Sequence, residues 1–213
     1  IKTDQDNALI VRDGIDVEKY RPYMQKITDA LIFLGYPPCE GNIMVSNPDW
    51  CKSYLNFKND ISRWVGTQDM KNFLDLAIFT DSFSVAGDKQ MLIDLKEFLY
   101  SKVQNHIFMA YFAKSTTAFE TPTTISTFMG KENFINIKKA AIFPIVHGIR
   151  SLALREKIKE TTTIKRIQIL EQRKILDKDR AAELLEALEI VNTLRLRHQI
   201  DLLQQNKPLS NEI

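Results

Sequence analysis

The sequence predicts an α/β region followed by an all-helical region, and two patterns support this fold class. In the first part of the chain, short apolar segments rich in branched side chains alternate with stretches of helical periodicity. That order is typical of a mixed α/β sheet. From Lys89 onward, apolar residues recur at helical spacing almost throughout. We therefore predict an α/β domain over residues 1–88 and a helical domain over residues 89–213.

Three strands and two helices are predicted in the first region. Each strand is a short apolar run bounded by polar or turn residues, and together they cover residues 7–11, 42–46 and 76–80. The helices have apolar residues every three or four positions and cover residues 17–34 and 50–65. Gly35-Tyr-Pro-Pro38 ends the first helix, because proline cannot continue it, and Asn47-Pro-Asp49 is a turn signal.

The second region is predicted to be a bundle of helices. Their apolar positions indicate helices at residues 91–99, 107–119, 145–153, 163–167 and 177–205, with residues 121–139 less regular. Thr161 or Thr162 is a candidate N-terminal cap of the fourth helix. The apolar stripe of the long last helix suits either the core of its own domain or a dimer seam.

Composition and charge narrow the classes to which this protein can belong. The chain has 213 residues, of which 44% are hydrophobic and 26% charged, so it can bury an ordinary globular core. A formal net charge of +2 gives no argument for binding nucleic acid or an anionic membrane. No apolar run approaches the roughly 20 residues that span a bilayer. We expect Cys39 and Cys51 to be reduced thiols of a cytoplasmic protein.

The most informative local pattern is Thr3-Asp-Gln-Asp-Asn-Ala-Leu-Ile10. Residues two apart on a strand point to the same side, so Asp4 and Asp6 are expected to present two carboxylates together. Such a pair repels itself unless a cation lies between its members. Oxygen ligands of this kind suit Mg²⁺ that also contacts substrate phosphates, as phosphoryl and nucleotidyl transfer require. The alternative is a solvated loop ahead of a strand.

A third carboxylate, Asp81, follows the predicted strand 76–80 and could stand beside this pair if the strands are neighbours. Its alternative role is that of a residue in the turn after a strand.

Residues 3–10, which we name the acidic segment, resemble the carboxylate segment of bacterial nucleotidyltransferases related to protein-PII uridylyltransferase. These domains commonly follow cyclic-nucleotide-binding and CBS modules. The similarity covers nearly the whole chain in order. Its blocks are Gly35-Tyr-Pro-Pro-Cys39, Met44-Val-Ser-Asn-Pro-Asp-Trp50, Trp64, Ile78-Phe-Thr-Asp-Ser-Phe-Ser-Val-Ala-Gly-Asp88, Ile137-Lys138, Ile149-Arg-Ser-Leu-Ala-Leu154, Thr161-Thr-Thr-Ile-Lys-Arg166 and Leu194-Arg-Leu-Arg-His-Gln199.

The resemblance implies a polymerase-β-like nucleotidyltransferase fold with a mixed sheet, followed by a helical substrate-binding domain. It makes Asp4 and Asp6 the ligands of Mg²⁺ or Mn²⁺, and Asp81 the candidate third ligand. Two departures stand out. The family's Gly-Ser loop, which holds the triphosphate, lies upstream of the carboxylates, and this chain begins at Ile1. We therefore expect a fragment or processed form that is inactive alone. The family also usually has an arginine near Phe83.

Further candidate substrate contacts carry alternative roles. Asn47, Asp49 and Trp50 lie on the turn after a predicted strand, although Trp50 equally suits a core position. Asp88 could act in a loop or cap the next helix. Arg150 lies on an apolar helix, and its guanidinium group suits a triphosphate. Three other arginines could contact the triphosphate if they converged with Arg150: Arg166, Arg195 and Arg197. The alternative is that these arginines pair with Asp or Glu side chains of the same chain.

Other catalytic signatures are missing from the sequence. The three histidines and two cysteines show no zinc spacing, and neither a Gly-x-Ser-x-Gly nucleophile motif nor a Walker loop occurs. Three functional hypotheses follow. The first is an enzyme that moves a nucleoside monophosphate from a nucleoside triphosphate to an acceptor, which could be a protein. The second is a non-catalytic signalling module. The third is a helical interaction scaffold that forms a homodimer.

Overall fold

The computed structural model describes residues 3–103, 105–115 and 134–213. These residues form two strands and eight α-helices, so the protein is mostly helical with a small two-stranded parallel sheet. The strands are β1 (Leu9–Val11) and β2 (Cys51–Ser53), in register with Leu9 opposite Cys51 and Val11 opposite Ser53. The helices are α1 (Arg21–Phe33), α2 (Tyr54–Gly66), α3 (Met70–Asp81), α4 (Lys89–Lys102), α5 (His106–Lys114), α6 (Phe143–Arg155), α7 (Thr163–Gln172) and α8 (Lys178–Gln204).

Contacts divide the chain into two compact units. The α/β unit contains Thr3–Trp64 and Phe83–Ser101, and the helical unit contains Val65–Ser82 and the described residues of Lys102–Ile213. By its contacts α3 therefore belongs to the helical unit, and most of α4 belongs to the α/β unit. The domain boundary at residue 88 stays a prediction.

The α/β unit has its core beneath the sheet. Met24, Val45 and Cys51 are buried together, and Leu9 and Val17 pack against them. Elsewhere in this unit the indole rings of Trp50 and Trp64 stack with centroids 6.0 Å apart. The predicted strand 7–11 and the helix 17–34 are confirmed in type, the latter as a 3₁₀ turn (Val17–Tyr20) followed by α1.

The strand predicted at residues 42–46 is wrong. Ile43, Met44 and Val45 are all buried, but they lie in a loop, and the strand follows later at Cys51–Ser53. The loop is tied to the acidic segment by Asn7. The backbone amide of Asn7 donates to the Ile43 carbonyl (3.0 Å), and the Asn7 side-chain Oδ1 accepts from the Val45 amide (2.8 Å). A loop can have the same run of apolar residues as a strand when its side chains are buried and its backbone groups are hydrogen-bonded.

The strand predicted at residues 76–80 is also wrong, because this run is the second half of α3. Asp69 caps the helix: its side chain accepts from the backbone amide of Asn72 (3.0 Å). Phe73, Leu76 and Thr80 are buried on one face of the helix, at spacings of three and four. A short apolar run is compatible with either a buried strand or a buried helix, and only the preceding turn and cap identify the helix.

The helical unit is assembled around α6, α7 and α8. Its main apolar cluster contains Ile149, Ala153, Ile158, Ile167, Leu170 and Ala181. A second group consists of the rings of Phe73, Phe108 and Phe112, with centroids 5.8–5.9 Å apart. All five helices predicted after residue 88 are confirmed where the structure describes them, but residues 116–133 lie outside the described residues. Within that described part, no helix combines the length and apolar character that crossing a membrane requires.

Candidate functional site

The acidic segment is held by the two polar residues that alternate with its aspartates. Gln5 is 4% exposed, and its backbone amide donates to the Pro37 carbonyl (3.1 Å). Its side-chain Nε2 donates to the backbone carbonyls of Thr28 and Tyr36 (3.3 Å each). The Asn7 side chain donates to Oε1 of Gln5 at 3.2 Å. Alternation along the segment leaves Asp4 half-buried and Asp6 exposed. The side-by-side presentation of the two carboxylates stays a prediction.

Asp6 interacts with the thiol of Cys39. Burial raises the pKa of Cys39, and a hydrogen bond from the thiol to the Asp6 carboxylate raises this pKa further. Burial also raises the pKa of Cys51, which is 2% exposed in the core. No local pattern pairs Cys39 with the acidic segment, because Cys39 and Asp6 lie more than thirty positions apart.

The turn before β2 positions the next three candidates. Asn47 caps a 3₁₀ turn (Pro48–Trp50): its side chain accepts from the Asp49 amide (3.0 Å) and donates to the Asn42 carbonyl (2.8 Å). Asp49 is exposed, whereas Trp50 is 5% exposed and stacked on Trp64. The indole therefore has a packing role, the alternative that the sequence left open. Roles of these residues in substrate binding stay predictions.

Asp88 lies at the start of α4. Its Oδ1 accepts from the Gln90 amide at 3.0 Å, which is the bond that a helix cap makes, and its Oδ2 lies 3.7 Å from Nη2 of Arg12. Both side chains of this ion pair are largely exposed. The cap was the simpler of the two roles open to Asp88, and contact with substrate stays a prediction.

Asp81 is the centre of an ion-pair network in the helical unit. Its Oδ2 accepts from Nε and Nη2 of Arg150 (2.9 and 2.5 Å), and its Oδ1 accepts from Nη1 of Arg166 (2.6 Å). The Arg166 side chain is 1% exposed, and its Nε donates to the Glu160 carbonyl at 2.6 Å. The network joins the C-terminal end of α3 to α6 and α7. Intramolecular pairing, the alternative considered for the arginines, is what the structure shows for these two.

His147 extends this network into the core. Its ring is 2% exposed, with Nδ1 3.0 Å from Nη1 of Arg150 and Nε2 2.9 Å from the Phe112 carbonyl. Because the arginine can only donate and the carbonyl can only accept, the proton lies on Nε2. Burial lowers the pKa of His147; the Phe112 hydrogen bond opposes this shift and the Arg150 charge adds to it. From the sequence, Arg166 is one of several arginines that could converge on a triphosphate and His147 shows no zinc spacing; no spacing rule links either residue to Asp81.

The predicted metal ligands occupy different units: Asp4 and Asp6 lie in the α/β unit, and Asp81 lies in the helical unit. Across residues 3–103, 105–115 and 134–213, no three or more His, Cys, Asp or Glu side chains are grouped so that they could hold a metal ion. Two guanidinium groups already compensate the charge of Asp81. The metal-binding role of all three aspartates stays a prediction.

Comparison with known families identifies the chain. A family model described as "Putative nucleotidyltransferase substrate binding domain" matches residues 106–213, just over half of the chain. The chain belongs to this nucleotidyltransferase family. A second model, "Putative nucleotidyltransferase DUF294", matches residues 1–71 and includes the acidic segment, β1 and β2. No curated protein and no solved structure gives a match.

Membership of the DUF294 nucleotidyltransferase family confirms the resemblance seen in the sequence and suggests a nucleotide as substrate. The substrate-binding model begins at α5 and covers α6, α7 and α8. It therefore includes Arg150, Arg166 and His147, while Asp81 lies outside both matched ranges.

Proposed function

We propose that this protein is a metal-dependent nucleotidyltransferase that moves a nucleoside monophosphate from a nucleoside triphosphate to an acceptor. By analogy with protein-PII uridylylation, the proposed acceptor is a protein side chain in bacterial signal transduction, acting in the cytoplasm. The proposal rests on membership of the family and on one structural observation. Gln5 and Asn7, the residues that alternate with Asp4 and Asp6, are anchored by hydrogen bonds to the surrounding backbone.

The residues fit a hard divalent cation. Two carboxylates match the protein share of a Mg²⁺ or Mn²⁺ site that completes its coordination with water and nucleotide phosphates. When bound, such an ion neutralises phosphate charge and activates the attacking oxygen. The protein's own contribution is to hold the two carboxylates in place, and the hydrogen bonds of Gln5 and Asn7 provide this rigidity.

The remaining candidates have supporting roles in the proposal. Asn47, Asp49 and Asp88 belong to the same unit as the carboxylate pair and would contact the nucleotide or the acceptor. Arg150 would contribute to the substrate-binding domain either directly or by ordering its helices. Asp81 remains a candidate third carboxylate, but its observed partners favour a role in positioning Arg150 and Arg166.

Cys39 provides a direct readout of a cation at Asp6. The hydrogen bond to Asp6 raises the pKa of the Cys39 thiol, so a cation that takes over this carboxylate should lower that pKa and increase the thiolate fraction. We expect Mg²⁺, at constant ionic strength, to accelerate alkylation of Cys39 by iodoacetamide several-fold. Peptide mapping by mass spectrometry measures the rate, and the buried Cys51 is an internal reference.

The variants for this experiment are Asp6→Asn and Asp29→Asn. Asp6→Asn removes the carboxylate, so Cys39 should react faster without metal and should no longer respond to Mg²⁺. Asp29 is an exposed carboxylate of α1, and its variant should retain the response. Equal rates with and without Mg²⁺ in the wild-type protein would contradict a metal site at Asp6.

Turnover is tested in a version that carries a Gly-Ser loop ahead of Ile1. Pyrophosphate release from each of the four nucleoside triphosphates should require Mg²⁺. Asp4→Asn and Asp6→Asn should each reduce it at least about a hundredfold, because a catalytic metal supplies several kcal/mol of transition-state stabilisation. Full activity in the double variant would rule out the proposed mechanism.

A non-catalytic nucleotide-sensing or protein-interaction module is the second candidate. Both oxygens of Asp81 are engaged by arginines, and this chain lacks the arginine that the family usually has near Phe83. Both features would weaken catalysis more than binding. Calorimetry distinguishes the two functions, since nucleotide binding without pyrophosphate release supports the module.

A further inference from the structure

Helix α8 carries an exposed apolar patch that the described residues of its own unit leave uncovered. The buried residues of this helix are Ala181, Leu188 and Gln199, and they face the helical core. On another side of the helix, Ile190 and Leu194 remain 51% and 47% exposed. This feature is independent of the proposed catalytic function.

The patch belongs to a regular stripe along the helix, which we name the outer stripe. Its members recur at alternating spacings of three and four, as in the heptad pattern of helices that pair. They are Arg180, Glu183, Ala187, Ile190, Leu194, Arg197 and Asp201. Ala187 is half-buried and the other six residues are exposed.

The order of charges along the outer stripe determines how two copies could pair. From the N-terminal end it runs positive, negative, three apolar residues, positive, negative. In a parallel pair each charge would face its own kind, which is destabilising. In an antiparallel pair every charge faces its opposite, with Arg180 beside Asp201 and Glu183 beside Arg197 of the second copy.

We propose that the outer stripe is a homodimer interface in which two α8 helices pack antiparallel. The two-fold axis passes close to Ile190, and Ala187 of one protomer faces Leu194 of the other. The stripe extends about 31 Å at a rise of about 1.5 Å per residue. A single helix pair buries less than a standard interface, so the dissociation constant is expected on the order of 1–100 μM.

The test is sedimentation equilibrium of the 213-residue protein across this concentration range. The wild-type protein should shift from monomer to dimer. Ile190→Asp should raise the dissociation constant at least about tenfold, because it places an unpaired carboxylate in the centre of the seam. Ile200→Asp is the matched control, since Ile200 is 43% exposed on α8 but lies outside the outer stripe.

Charge reversal tests the orientation. Glu183→Arg and Arg197→Glu should each weaken the dimer, because like charges then face each other twice. The double variant E183R/R197E should restore it, since the antiparallel pairs are re-formed with exchanged signs. Added salt should reduce the differences between these proteins.

Three results would overturn the proposal. The first is that the wild-type protein stays monomeric at all concentrations. The second is that Ile190→Asp and Ile200→Asp weaken the dimer equally. The third is that the double variant E183R/R197E does not recover the association that the single variants lose. Far-UV circular dichroism of each variant confirms that α8 remains folded.

Discussion

At the scale of single residues, Asp81 shows how one side chain can organise a helical unit. It is the last residue of α3, where the negative end of the helix dipole disfavours a carboxylate. Arg150 and Arg166 offset this cost, and the buried Arg166 pairs with Asp81. The network therefore requires the carboxylate, because without it a guanidinium in the core would lose its counter-charge.

Replacement of this carboxylate should destabilise the helical unit. We expect Asp81→Asn to lower the free energy of unfolding by about 2–3 kcal/mol, less than the 3–5 kcal/mol of a fully buried pair because the aspartate is partly exposed. Urea unfolding followed by circular dichroism measures the change. Glu156→Gln breaks the more exposed Arg155–Glu156 pair of the same unit and should cost about 0–1 kcal/mol. Equal effects of the two variants would show that the Asp81 network adds no special stability.

At the scale of secondary structure, the second half of α3 is a helix that the sequence pattern predicted as a strand. Its apolar run at residues 76–79 suits a buried strand, yet the cap at Asp69 starts a helix six positions earlier. Once the helix has started, Phe73, Leu76 and Thr80 fall on one buried face. The same helix places Asp81 at its end, so its correct assignment also decides where the predicted third carboxylate lies.

The cap should contribute measurably to this helix. Asp69→Ala removes the acceptor of the Asn72 amide and should lower the free energy of unfolding of the helical unit by about 1 kcal/mol. Asp69→Asn keeps a capping oxygen and should cost only a few tenths of this amount. Chemical unfolding of both variants provides the comparison. If Asp69→Ala is as stable as the wild-type protein, the cap is not a determinant of α3.

At the scale of the whole molecule, stability should depend on pH through the buried imidazole of His147. Burial lowers the pKa of His147 below its ordinary value of 6.5, so the folded protein resists a proton that the unfolded chain accepts. The contribution of the neutral ring is therefore complete above about pH 6.5 and is lost as the pH falls toward the lowered pKa.

This dependence can be measured by comparing two proteins. The wild-type protein should lose more unfolding free energy between pH 7.5 and pH 5.5 than His147→Gln, which has no imidazole to protonate. The difference between the two losses isolates His147 from the carboxylates that titrate in both proteins. Parallel pH profiles would contradict a buried neutral histidine that resists protonation.

The sequence by itself determined the order of an α/β region and a helical region, most helices and the first strand. Helical periodicity, caps and alternation are local, so a single chain displays them. The family resemblance was equally visible, because its blocks are contiguous. The short apolar run at residues 76–80 suits either a strand or a helix, and the structure shows a helix. Only tertiary structure decided that Cys39 lies beside Asp6 and that Asp81 binds Arg150 and Arg166. These facts depend on contacts between residues far apart in the chain, and such contacts leave no periodic signal in one sequence.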